Sequence, residues 1–385
     1  MAISFVYLDH AATTSVRPEV REAMQPYFDE RFGNPSSVHR WGRQARNALE
    51  QARERVAAAI GAQRRDIVFT GGGTEADNLA VLGRWRSSCR SSGNARGSAV
   101  VCSAVEHKAV GAAAQCAADE GAELIILGVD EAGRTELAAV DEALHAQPCV
   151  VSVMWANNEV GTIEPVAEIG ARCRAAGVVF HTDAVQAFGK VAVRVDDCDL
   201  LSLSAHKVGG PKGIGALYIR EGVNVLPLVH GGGQERELRP GTENVAAAVG
   251  FAVAAELAAR TQEAEAARLL ALRDRLETRL RERVPELIVN GPPAGRLPNI
   301  LHVTVPDADQ EGLIIGLDLE GVAASGASAC QSGTIRPSHV LAAMGRLRPD
   351  SASVRLSLGH TSTADEVDFA ADAFARVIAQ LRVNV

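Results

Sequence analysis

The alternation of short apolar runs with amphipathic segments, between about residues 50 and 220, constrains the fold most. Helix-like segments cover residues 78–87, 109–119 and 166–176. Seven strand-like runs surround them: DIVFTGG, SAVVCSA, AELIILGV, CVVSVMW, VVFHTDA, DLLSLSA and IGALYIR. This pattern is typical of βαβ units and predicts an α/β fold, with a mostly parallel sheet and helices on both faces. Ligands of such sheets bind at the carboxyl ends of the strands.

A long helical stretch divides the chain. Residues 244–284 have helical periodicity and no proline, which predicts one helix linking two domains. A second unit begins with ILHVTV and ends with SVRLSLG and a final helix, where Thr363 and Glu366 form a capping-box pattern. We predict a large domain and a smaller α+β domain, the first over residues 16–260 and the second over residues 1–15 and 261–385.

Charge and cysteine content exclude several classes of function. The 385 residues carry a formal net charge of −8 and no basic tract, which argues against nucleic acid or a membrane as a partner. The first residues, MAISFVYLDHAATT, lack a basic region and a long apolar core, so we expect a cytoplasmic location. Seven cysteines without a CxxC pair indicate neither a metal site nor disulfide bonds.

Lys207 lies between the apolar run DLLSLSA and the glycine-rich turn VGGPKGIG. A buried lysine is costly, so this position indicates a Schiff base with a carbonyl cofactor, for which pyridoxal phosphate is the first candidate. Asp183 ends the run VVFHTDA, where a carboxylate can pair with a pyridinium nitrogen and make the ring an electron sink. Taken singly, each residue is more often a surface lysine or a plain strand-end carboxylate.

The segment FTGGGTEADNLA predicts a phosphate site. It places three glycines between a strand and a helix that Thr74 opens, so the amides of Gly73 and Thr74 and the helix dipole favour a dianion. Neither a Walker loop nor GxGxxG is present, which argues against a nucleotide. The alternative is a tight turn without a ligand. Ser204 and His206, on either side of Ala205, are further candidate phosphate donors.

Two more strand ends carry polar side chains that suit a cofactor ring. His107 follows the run Ala99 to Val105, and its imidazole is a candidate to stack on the ring or to move a proton. Asn157 and Asn158 follow CVVSVMW as candidates to contact a ring hydroxyl. A structural histidine and a polar loop that caps the next helix are the alternatives.

Cys330 lies in the segment VAASGASACQSGTIRPSHV, which has almost no large side chain. We predict a mobile exposed loop over about residues 322–336. A nucleophilic thiol that travels between two sites fits this setting, and a flexible connector with an incidental thiol fits it equally well.

The motifs together resemble the group I cysteine desulfurases of the NifS/IscS type. In order, they are YLDHAATT, GNPSSVH, FTGGGTEADNLA, EHKAV, NNEVGTI, HTDAVQ, SAHKVGGPKGIG, RPGTEN and SGASACQSG. The resemblance covers essentially the whole chain. It implies a pyridoxal-phosphate enzyme of fold type I, the aspartate-aminotransferase fold, that works as a homodimer.

The resemblance also implies a role for each site residue. Lys207 would hold the cofactor, Asp183 the ring nitrogen, and His107 would stack on the ring. Arg355, helped by Asn34, would bind the substrate carboxylate with its guanidinium fork. The alternative for Arg355 is a solubilising charge on an edge strand. The remaining expected contacts are Gln186 and Asn158 at the ring hydroxyl; Gly73, Thr74, Ser204 and His206 at the phosphate; and Thr242 at the neighbouring subunit's phosphate.

The implied reaction removes sulfur from L-cysteine. Lys207 would take the Cα proton, the Cys330 thiolate would attack the substrate sulfur, and L-alanine and a persulfide on Cys330 would result. An iron–sulfur scaffold, a tRNA-thiolation relay and a nitrogenase-specific assembly factor all remain possible acceptors. A selenocysteine lyase, another pyridoxal enzyme such as an aminotransferase, and a non-catalytic sulfur-transfer platform are the alternative functions.

Overall fold

The computed structural model describes residues 5–92, 98–326 and 337–383. The strands are β1 Val6–Tyr7, β2 Ile67–Thr70, β3 Val100–Ser103, β4 Leu124–Leu127, β5 Val150–Ser152, β6 Val179–Asp183, β7 Leu200–Ser204, β8 Gly215–Ile219, β9 Ile288–Asn290, β10 Ile300–Pro306, β11 Val322–Ala323, β12 Ser325–Gly326 and β13 Ser351–Ser357. The helices are α1 Pro18–Met24, α2 Arg40–Ile60, α3 Gly73–Ser92, α4 Lys108–Asp119, α5 Leu137–Leu144, α6 Val166–Ala176, α7 Val245–Arg283, α8 Gln310–Leu319, α9 His339–Ala343 and α10 Ala364–Val383.

A seven-stranded sheet forms the centre of the larger part of the molecule. Its strand order is β2-β8-β7-β6-β5-β3-β4, and the pairs among β3, β4, β5, β6 and β7 are parallel. Strand β8 pairs antiparallel with both β7 and β2, so it alone runs against the others in this sheet. Each of the seven predicted runs contains one strand, and the predicted mostly parallel α/β sheet is confirmed. Parallel strands are apolar on both sides because helices cover both faces.

A second sheet of order β12-β13-β10-β9, antiparallel throughout, has its own core. Val6 and Leu8, from the start of the chain, pack in this core with side chains from α8 and α10. Helix α7 contributes Phe251 to the core of the large sheet and Leu276 to the second core. The long helix at 244–284 is thus confirmed, and the exact domain boundaries at residues 16 and 261 remain a prediction.

Other local predictions compare as follows. The capping box of α10 is present, because the Thr363 N–H donates to Glu366 Oε2 and the Glu366 N–H to Thr363 Oγ1. The loop predicted over about residues 322–336 begins in regular structure, because residues 322–323 form β11, which pairs with β1, and residues 325–326 form β12, which pairs with β13. Residues 327–336 lie outside the described residues. Cys330 lies outside the described residues. Among the described helices, none has the length and apolarity needed to cross a membrane.

Candidate active site

One cavity of about 370 Å³ lies at the carboxyl edge of the large sheet, against the second sheet. The residues that line the cavity come from distant parts of the sequence. They lie at the ends of strands β2, β6 and β7 and in the segments that follow β3 and β5. The predicted site residues that line the cavity are Gly73, Thr74, His107, Asn158, Asp183, Gln186, Ser204, His206, Lys207 and Arg355.

Lys207 lies in the turn after β7, and its Nζ donates hydrogen bonds to the carbonyl oxygens of Ala11 (2.6 Å) and Ala12 (2.8 Å). Gln186 Nε2 donates to the same Ala11 carbonyl at 2.9 Å. The segment between β1 and α1 therefore holds the amine at the wall of the cavity. The backbone of Lys207 is held as well, because Lys190 Nζ donates to its carbonyl oxygen at 3.3 Å.

Asp183 ends β6 and is 6% exposed, and its Oδ1 accepts the Val185 N–H at 2.8 Å. Burial raises the pKa of its carboxyl group, and the nearby His107 and Lys207 oppose that increase. His107 caps α4, where its Nδ1 accepts the Ala109 N–H at 3.2 Å. Burial lowers the pKa of His107, so the ring is neutral near pH 7 and carries its proton on Nε2.

The glycine-rich turn after β2 leads directly into α3, whose first amides border the cavity. Gly72 has φ +152°, and a Cβ at residue 215 would lie 2.7 Å from its carbonyl carbon, so the turn packs closely against β8. Glu75, in the first turn of α3, would repel an anion. Its carboxylate is already bound by the Gly71 N–H at 2.7 Å and by Arg239 Nε at 3.1 Å, which reduces that repulsion.

Ser204 and His206 lie at the end of β7, facing the same turn, and both also line an adjoining cavity of about 820 Å³ with Gly72 and Lys212. His206 Nδ1 and Thr13 Oγ1 are 3.1 Å apart and share a hydrogen bond. Burial, with a smaller effect from Lys207, lowers the pKa of His206 to about 4. His206 is therefore neutral near pH 7 and offers a hydrogen bond rather than a charge.

Arg355 lies on β13, which has β12 on one side and β10 on the other, so the edge-strand alternative is wrong. The residue is only 9% exposed. Its Nη2 donates to Asp9 Oδ1 and its Nη1 to the Asn158 carbonyl oxygen, both at 2.8 Å. Its buried Nε has no partner among the residues described. The guanidinium is thus oriented from two sides by two of its five N–H groups, and others, that of Nε among them, remain for a ligand.

Three predicted residues lie elsewhere. Asn157 is fully buried, and its Oδ1 accepts the N–H groups of Glu159 and Val160, so of the two asparagines only Asn158 lines the cavity. Thr242 borders a separate cavity of about 210 Å³. Asn34 is exposed, with its Oδ1 accepting the Ser36 N–H, and does not line the Lys207 cavity.

The sequence reasoning missed four acidic residues at this cavity or directly behind it. Asp9 orients Arg355, and Glu159 Oε2 accepts a hydrogen bond from Ser338 at 2.5 Å. Glu106 and Asp77 are 4% and 2% exposed. Asp9 and Glu106 directly follow the apolar residues Leu8 and Val105, and Glu159 follows the asparagine pair after CVVSVMW. Asp77 comes three residues after Thr74, on the same side of α3. These positions were the available signal.

Comparisons with known proteins agree with this geometry. The model of the aminotransferase class-V family matches residues 6–369. The cysteine desulfurase IscS of Dictyoglomus turgidum is 43% identical over 380 residues, which cover 98% of this chain and 95% of that protein. A cysteine desulfurase of Gluconacetobacter diazotrophicus is 44% identical over 384 residues, which cover 98% of this chain and 94% of that protein.

Solved structures give the same result. A NifS-like protein has a TM-score of 0.90 at 34% identity, with 98% of this chain and 100% of that chain covered. A structure described as SspA in complex with cysteine has a TM-score of 0.78 at 33% identity, with 92% of this chain and 98% of that chain covered. The fold-type-I prediction is confirmed, and this family is generally pyridoxal-phosphate-dependent. The chain therefore belongs to the class-V aminotransferase family and, within it, to the NifS/IscS-type cysteine desulfurases.

Proposed function

We propose that this chain uses pyridoxal phosphate, held by Lys207, to take sulfur from L-cysteine, leaving L-alanine and a persulfide on Cys330. One observation supports this best. The Lys207 amine, the Asp183 carboxylate and the first two residues of α3, Gly73 and Thr74, line a single cavity of about 370 Å³. An amine, an acid and an anion site in one cavity are the groups that a pyridoxal ring with a phosphate needs.

The residues fit the cofactor at each of its ends. Asp183 is suited to pair with the ring nitrogen and His107 to stack on the ring face. Gln186 and Asn158 are suited to contact the ring hydroxyl. Gly73, Thr74, Ser204 and His206 suit the phosphate, whose charge the α3 dipole favours. When bound, pyridoxal phosphate supplies an electron sink for the bond to be broken.

The chain's own groups carry the proton and the sulfur. Lys207 Nζ accepts the Cα proton of the substrate, because its amine lies at the wall of the same cavity. The Cys330 thiolate forms a bond to the substrate sulfur as the Cβ–S bond breaks, and the electron pair of that bond remains with the carbon that becomes alanine. Arg355 binds the substrate carboxylate.

Arg355→Lys tests the carboxylate site. We expect the KM for L-cysteine to rise about 10- to 100-fold with a smaller change in kcat, because lysine keeps the charge but lacks the planar fork. Sulfide release against cysteine concentration measures both constants. Arg348→Lys, in the exposed turn before β13, is the matched control and should behave like the wild type. An unchanged KM in Arg355→Lys contradicts the assignment.

The remaining parts of the proposal concern partners. We propose a homodimer in which Thr242 contacts the neighbouring subunit's phosphate site and Asn34 assists Arg355. The persulfide then passes to a protein acceptor, such as an iron–sulfur scaffold or a thiolation relay, in the cytoplasm as the sequence predicts.

The purified protein, given L-cysteine and a reductant, tests the proposal directly. We expect visible absorption from bound pyridoxal, and alanine and sulfide in equal amounts. Selenocysteine, assayed in parallel, separates a desulfurase from a selenocysteine lyase. Glutamate formation from an added keto acid would instead indicate an aminotransferase. A colourless protein that cannot be reconstituted would leave the non-catalytic sulfur-transfer platform as the better reading.

A further inference from the structure

Asp77 has no role in the proposed reaction, although it lines the same cavity as Asp183. One donor atom each of Asp77, His107 and Asp183 all lie within 4.8 Å of one another. Both aspartates are almost fully buried, at 2% and 6% exposure. Two carboxylates this close in a buried site strongly disfavour simultaneous ionisation, so one of them should hold a proton.

The surroundings of Asp77 offer no cation. Ser202 is the neighbouring hydroxyl that favours its ionised form, and its buried Oδ1 has no hydrogen-bond partner among the described residues. His181 Nε2 is 3.7 Å from Oδ1. That imidazole lies between Ser152 (2.8 Å) and Ser202 (3.0 Å), and burial lowers its pKa to about 3, so it is neutral.

Asp183 has the surroundings of an anion. The Val185 N–H donates to its Oδ1, and the charge of the nearby Lys207 amine favours its ionised form. For Asp77, burial and the charge of Asp183 both raise the pKa well above the usual range. The negative charge of the pair therefore belongs on Asp183.

Glu106 is the third buried carboxyl group of this region. One of its oxygens accepts the Met154 N–H at 2.6 Å, and the other has no partner within the described part of the chain. Burial, with the charge of Asp183 next, raises its pKa well above the usual range. Both effects disfavour an anion on Glu106, so Glu106 does not take the charge from Asp183.

A metal ion is the competing explanation for the cluster. His107 Nδ1 already accepts the Ala109 N–H, so the neutral ring carries its proton on Nε2. Metal binding through Nε2 would move that proton to Nδ1, where it would oppose the Ala109 N–H. The geometry therefore favours one proton on the pair of carboxyl groups over a metal ion.

We propose that Asp77 and Asp183 bind one proton in total, that Asp77 carries it on Oδ1, and that Asp183 is consequently the single anion facing the cofactor's ring nitrogen. The consequence for the ring nitrogen rests on the proposed function, whereas the protonation of Asp77 is a property of the protein alone. Asp77 acts through Asp183 and is a positioning residue.

Infrared difference spectroscopy on protein labelled with ¹³C at the aspartate carboxyl groups tests the proposal. Near neutral pH, Asp77→Asn should remove one band of a protonated carboxylic acid from the wild-type spectrum. Asp318→Asn, on the exposed end of α8, is the matched control and should remove a carboxylate band. Loss of a carboxylate band in Asp77→Asn would overturn the proposal.

The pH midpoint of the visible absorption is a second readout. Asp77→Asn replaces a neutral acid by a neutral amide, so the pH midpoint should stay within about 0.3 pH units of the wild-type value. Loss of a buried anion would instead shift the midpoint by about one unit or more. The infrared comparison is repeated without pyridoxal phosphate. If the protein never binds the cofactor, the proposed function fails while the infrared result still decides the protonation.

A misfolded variant does not prevent the test. Among the described residues, Asp77 and Asp183 are the only aspartates in the buried class. The labelled wild-type protein alone should therefore show one protonated aspartate per chain. A wild-type spectrum without a protonated aspartate would refute the proposal.

Discussion

Lys207→Ala should abolish the visible absorption of bound pyridoxal and reduce sulfide release from L-cysteine by about 10³-fold or more. Under the proposed function, the variant loses both the amine that would hold the cofactor and the base at the substrate Cα. The amine has a prepared position, since the Ala11 and Ala12 carbonyl oxygens accept its hydrogen bonds. The measurements are the absorption spectrum and a sulfide assay after reconstitution with pyridoxal phosphate.

Lys207→Arg separates chemistry from charge. It keeps a cation against the Ala11 and Ala12 carbonyls but cannot form a Schiff base, so it should be as inactive as Lys207→Ala. An added small amine should partly restore activity to the alanine variant, because a free base can then occupy the vacated space. Borohydride reduction of the wild type should attach the cofactor to the peptide containing Lys207. A label on another lysine would refute the assignment.

The sequence predicted the large sheet because the pattern of a parallel sheet is local. A strand such as β2 or β4 is a short apolar run bounded by polar or glycine residues, and each connecting helix has its own periodicity. The positions of the strand ends follow from the same pattern, which is how Lys207 and Asp183 were predicted to lie at one edge of the sheet, where both line the cavity.

Contacts between distant segments could not be predicted from such patterns. Arg355 meets Asp9 across 346 positions, and Lys207 meets Ala11 across 196, through the packing of β1 beside the second sheet. Asp77 was missed for a different reason. A single acidic residue in the first turns of a helix usually serves the helix dipole, and only the fold shows that it is buried beside Asp183.

Cys330→Ser should keep the cofactor absorption and its change on addition of L-cysteine, yet reduce sulfide and persulfide formation by about 10³-fold or more. A serine hydroxyl is a much weaker nucleophile toward sulfur than a thiolate, whereas the groups that bind cofactor and substrate lie on other elements of the chain. Spectra with substrate, together with persulfide and alanine quantification, distinguish loss of sulfur transfer from loss of binding.

Cys116→Ser is the matched control, because Cys116 lies on α4, is partly exposed and takes no part in the cavity. It should retain wild-type activity. The comparison also decides between the two interpretations of the segment around Cys330. If Cys330→Ser turns over like Cys116→Ser, the thiol is incidental and the segment is a plain connector. If only Cys330→Ser fails while both variants bind L-cysteine equally, Cys330 supplies the nucleophile.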